Sequence, residues 1–76
     1  MSGIDYVWRL YSKANSMVSL FEEFKELAME MAFKAASGRK PNSTDAERLE
    51  ALYNILQVKH REFVEFVEQL LRELRK

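Results

Sequence analysis

The stretch Ala36-Ser37-Gly38-Arg39-Lys40-Pro41-Asn42-Ser43-Thr44-Asp45-Ala46-Glu47 decides the fold, because it holds most of the punctuation in a chain with two Gly and one Pro. Gly38 suits the left-handed position just past a helix end, and Pro41 prevents the helix from continuing. One helix therefore ends near Ala36. Thr44-Asp45-Ala46-Glu47 has the form of a capping box, in which the Thr hydroxyl accepts from the third helical amide and Glu reaches back; Ser43 is the alternative cap. A second helix starts there and meets no breaker before Lys76. Asp5, Asp45 and Glu47 near helix starts, and Lys34, Arg39, Arg72, Arg75 and Lys76 near helix ends, all complement the helix dipoles.

Both flanks of the turn carry helical periodicity. After it, Leu49, Tyr53, Leu56, His60, Phe63, Val67, Leu70 and Leu74 alternate spacings of four and three; before it, Val7, Leu10, Ala14, Met17, Phe21, Phe24, Ala28, Met31 and Ala35 do the same. This is the spacing of a coiled-coil seam and not of a strand. Two long helices, about 4–36 and 44–75, joined by a short connection run antiparallel. The expected fold class is all-α: a helical hairpin with a coiled-coil-like seam, completed to a four-helix bundle by association. The alternative is a three-helix bundle with a break near 15–19, where Ser12, Asn15, Ser16 and Ser19 are mediocre helix formers and Ser19-Leu20-Phe21-Glu22 is itself a candidate capping box. Against the break, the series passes through in register and no Gly or Pro supplies a turn.

Composition narrows the function. The 76 residues are read as a single helical domain, 1–76, and twelve Lys and Arg balance twelve Asp and Glu. A neutral domain lacks the long-range pull toward nucleic acid or anionic lipid, so neither is an expected partner. The absence of Cys excludes a disulfide framework, a thiolate zinc site, an iron-sulfur cluster and a cysteine nucleophile. No apolar run approaches the ~18 residues of a membrane span, and the N-terminus lacks the pattern of a signal peptide, so the cytoplasm is the default expectation.

The residues that could carry chemistry read as structure. His60, the one histidine, sits in the periodic series between Leu56 and Phe63 and is expected in the core. A carboxylate-bridged di-metal site needs Glu three residues before such a His; Gln57 stands there. No Ser is marked by a strained turn or a base at the right spacing, and Gly3 and Gly38 make no phosphate loop. Glu22, Glu23, Glu26 and Glu30 lead to Lys34, which as an (i, i+4) partner of Glu30 describes a solvated face. Asn42-Ser43-Thr44 matches a glycosylation sequon but reads as a turn and cap. No catalytic residue, metal, cofactor or small-molecule substrate is expected.

The surplus of apolar side chains is the positive signal. Ile4, Trp8, Tyr11 and Val18 repeat beside the main series of the first helix, and Val64, Phe66 and Leu71 lie outside that of the second. In an antiparallel hairpin both sets fall at the open end. Burying one such side chain is worth roughly 1.5–3 kcal/mol, so a covering partner is expected. These seven are the candidate partner interface of a non-catalytic interaction or assembly module that binds itself as a homodimer, or another protein.

Two resemblances accompany this reading. Glu26-Leu27-Ala28-Met29-Glu30-Met31, a loop, and Asp45-Ala46-Glu47-Arg48 resemble the all-helical chorismate mutases over about half of the chain. That family lines a pocket with Arg and Lys that hold two carboxylates, and Glu47 and Arg48 match it in type. Phe24 and Ala35 stand where it places cations on the first long helix, and without them a dianion has nothing to hold it. The likeness implies an enzyme only as a remote alternative. In style, the dense capping, the Met1-Ser2-Gly3 start and the stretch Phe63-Val64-Glu65-Phe66-Val67-Glu68-Gln69-Leu70-Leu71-Arg72-Glu73-Leu74-Arg75-Lys76 resemble de novo designed helical bundles and small helical binders, which present rigid helical faces.

Overall fold

The computed structural model describes residues 3–76; Met1 and Ser2, two of the three residues of that start, lie outside the described residues. Helix α1 spans Gly3–Ala36 and helix α2 spans Ser43–Leu74. They pack against each other along one antiparallel contact, giving a hairpin of 57 × 16 × 15 Å. Among the described residues there is no strand.

The turn follows from hydrogen-bond chemistry. The Arg39 amide donates to the Lys34 carbonyl and the Gly38 amide to the Ala35 carbonyl, with Gly38 at φ 81°. That pairing satisfies the orphan carbonyls of α1 and requires a left-handed residue, which Gly supplies without steric cost. The cap of α2 lies two residues before the expected Thr44. The Asn42 side-chain oxygen accepts from the Asp45 amide at 3.0 Å, and the Asp45 carboxylate accepts from the Asn42 amide at 3.1 Å. Asp45 prevails over Glu47 because Lys34 reaches across from α1 and donates to both of its carboxylate oxygens, at 2.9 and 3.1 Å. The cap is thus also a tertiary contact.

Helix α1 is continuous through 15–19. Ser12, Asn15 and Ser19 are exposed, whereas Ser16 lies at the edge of the helix contact and accepts from Lys59 Nζ at 2.7 Å. Three of the four weak helix formers thus occupy the wet side of a helix held from its other side by Met17 and Leu20.

The two helices meet on a stripe rotated by one residue from the expected seam. Leu10, Met17, Phe24 and Met31 belong to both, but their companions are Tyr6, Lys13, Leu20, Leu27 and Lys34, while Val7, Phe21, Ala28 and Ala35 are exposed and Ala14 is half-buried at the edge. On α2, Leu56, Phe63 and Leu70 are joined by Leu52, Lys59 and Phe66 in place of the exposed Tyr53 and His60, with Val67 half-buried beside Phe66. Leu27 is 2% exposed and Phe21 52%. The physical reason is that lysine can occupy a helix contact with its stem while its ammonium reaches a polar partner. Lys34 reaches Asp45, Lys59 reaches Ser16, and Lys13 places Nζ 5.5 Å from the Phe66 ring centroid.

His60 and the charged pairs need matching corrections. His60 is exposed and lines a shallow depression with Gln57, Arg61 and Val64. Lys34 does not pair along its own helix with Glu30; it crosses to Asp45, and Glu30 takes Arg48 at 2.6 Å. Cross-helix pairs offer better geometry here because both carboxylates lie level with a cation on the opposite helix.

Candidate functional site

Lettering the helix contact as heptad positions a and d puts Glu30 and Arg48 both at position g, so the two g flanks lie on the same side of the hairpin. That side is polar. It carries Arg9, Ser16, Glu23 and Glu30 on α1 and Arg48, Glu62 and Gln69 on α2, with Ile55 the apolar exception. The opposite side is bounded by the two e flanks: Val7, Ala14, Phe21, Ala28 and Ala35 on α1, and Ala46, Tyr53, His60, Val67 and Leu74 on α2. No position a or e on either helix carries Lys, Arg, Asp or Glu.

This apolar side is open. Val7, Phe21, Tyr53 and Leu74 are each more than half exposed, and Leu49 is 42% exposed. Between the helices it forms an apolar depression of about 430 Å³ lined by Phe24, Ala46, Leu49, Tyr53 and Leu56, with Glu50 at its rim. Among the described residues Leu20, Leu27 and Leu70 are the apolar side chains that are buried. The chain exposes 6144 Å², against about 4,850 Å² for a compact monomer of its 9.0 kDa.

The residues singled out from the sequence divide over this geometry. Ile4, Tyr11 and Val18 occupy position b of α1, and Val64 and Leu71 position b of α2, so all five border the apolar side, and all are exposed. Trp8 lies one step further round at position f, 64% exposed, with its ring edge-on to Tyr11 at 5.9 Å between centroids. Phe66 is half-buried in the α1–α2 contact beneath Lys13, which corrects its placement outside the seam. The a and e positions coincide with the seam that the sequence spacing predicts for the hairpin. Their wider role was signalled by Lys13, Lys34, Lys59 and Asp45, which continue the spacing of Leu20, Leu27, Leu52 and Phe66 and so make the stripe three positions wide.

The strongest electrostatics lie in the helix contact near the turn and on the polar flank beside it. The hydrogen bond from Lys34, seconded by the Asn42 amide, lowers the Asp45 carboxyl below its ordinary value of 3.8. Arg48 lowers Glu30 in the same way, and Glu30 raises Arg48 in return. The depression beside Arg48 also carries Glu23 and Glu26, so an anion entering it meets two carboxylates and a guanidinium already engaged by Glu30. Among the described residues no three His, Asp or Glu side chains gather as a metal site, and no helix is long and apolar enough to cross a membrane. No protein-family model, curated protein or solved structure matches the chain.

Proposed function

We propose that this chain is a non-catalytic helical interaction and assembly module that works by covering its apolar side with protein. One observation carries the reading: two adjacent helices present a continuous, charge-free side in which Phe21 and Tyr53 stand half in water. A helix in a stable bundle buries a stripe of positions a, d and e, and this hairpin by itself leaves most of e, and Leu49 at position a, open. On the polar side, by contrast, Arg48 is already engaged by Glu30 and flanked by Glu23 and Glu26, which supports a protein-binding role over capture of a small anion.

The test is a fluorescent dye that brightens on apolar surfaces, combined with the double variant Phe21→Glu/Tyr53→Glu. The reading expects this variant to keep its helicity, lose every associated species and change dye binding strongly. A chain that is monomeric, binds no dye and is indifferent to both substitutions overturns it.

A further inference from the structure

We infer that the occupant of the apolar side is a second copy of this chain, seated with both loops at the same end so that α1 of each copy lies along α2 of the other. This rests on the interaction-module reading and names its partner. Area is the first argument. The chain exposes about 1,300 Å² more than a compact monomer of its mass. Two copies covering that excess bury on the order of 2,600 Å², within the range of obligate homodimers and above that of transient contacts.

Complementarity selects the orientation. Cross-helix pairs set the level of each residue: Lys34 meets Asp45, Arg48 meets Glu30, Lys13 meets Phe66, so α1 and α2 residues whose numbers total about 78 stand level. With loops together, the same levels hold between copies, and the seam between copies is lined by positions e and b. Along that seam Ile4, Tyr11 and Val18 interleave with Leu71 and Val64 of the second copy, apolar against apolar. Toward the loop, Lys25 stands about one turn or less from Glu50 of the second copy, opposite charges facing. With loops at opposite ends, α1 meets α1 and α2 meets α2; Lys25 then falls beside Tyr11 and Val18, and Glu50 beside Val64 and Leu71. The flanks match in the first arrangement alone.

The experiment exchanges those charges. Lys25→Glu and Glu50→Lys are prepared separately, checked for unchanged helicity, and examined alone and as an equimolar mixture with one variant isotope-labelled, by light scattering and native mass spectrometry. Two like-charge contacts per dimer should weaken each variant alone roughly tenfold, and the mixture should recover near wild-type association as the mixed dimer, where both contacts are attractive again. A wild-type dimer whose two variants mix at random overturns the orientation and leaves the module reading standing. A folded wild-type monomer that still binds the apolar dye overturns the second copy but not the module. A folded monomer that binds no dye overturns both.

Discussion

Lys34 Nζ lies 2.9 Å from Asp45 Oδ1, joining the last turn of α1 to the capping box of α2 through a carboxylate that is almost fully buried. The same carboxylate accepts from the Asn42 amide, so one side chain caps α2 and ties it to α1. The pH dependence follows. Because folding lowers the Asp45 and Glu30 carboxyls below 3.8 and 4.5, the stability they supply is complete above those values and is lost as the pH falls through the lower folded values. Melting followed by circular dichroism should show the hairpin weakening below about pH 4. Asp45→Asn should melt lower than wild type at neutral pH and lose much of this acid dependence.

The cap itself can be dissected. Asn42→Ala should destabilise the fold by about 1 kcal/mol, the usual worth of an N-cap side chain. Thr44→Ala, at the position favoured by the sequence pattern alone, should change stability by less than about 0.5 kcal/mol. Denaturant titration of the two variants separates them, and a larger effect at Thr44 would place the cap where the pattern first suggested.

Gly38 offers a purely backbone test. A Cβ added there meets nothing within 4 Å, so Gly38→Ala is opposed only by the left-handed φ of 81°. The expected destabilisation is about 1–2 kcal/mol, with no change in association. An effect near zero in denaturant titration would mean that the turn adopts another conformation.

The central and flanking apolar residues should fall into two classes. Leu27→Ala removes a side chain that is 2% exposed at the helix contact and should destabilise the hairpin by about 2–5 kcal/mol. Phe21→Ala removes one that is half exposed on the open side, and should leave most helicity while weakening association tenfold or more. Helicity and mass, measured in parallel, distinguish them. Equal loss of helicity in both variants would put Phe21 inside the hairpin contact.

The turn and both helices were legible in the sequence because Gly38, Pro41 and the spacing of four and three are local signals, set by backbone chemistry and helix pitch. The rotation of the contact was not. Lys13, Lys34 and Lys59 are charged and fell outside an apolar series, although their stems pack between the helices and their ammonium groups reach across them. Glu30 with Lys34 was a plausible local pair until Asp45 and Arg48 arrived from the other helix, an arrangement that chain order cannot disclose. The five residues at position b were visible as surplus. The larger open side was hidden because its residues were already assigned to the hairpin's own seam.

The central claim, that a second copy of the chain covers the apolar side, is tested most directly by sedimentation equilibrium over a dilution series from high to low micromolar concentration, with thermal melting recorded on the same samples. Burial of this side by a second copy predicts a mass of twice 9.0 kDa at the upper end and a melting temperature that falls on dilution as monomers separate. A mass of 9.0 kDa throughout, with a cooperative melt independent of concentration, would contradict it.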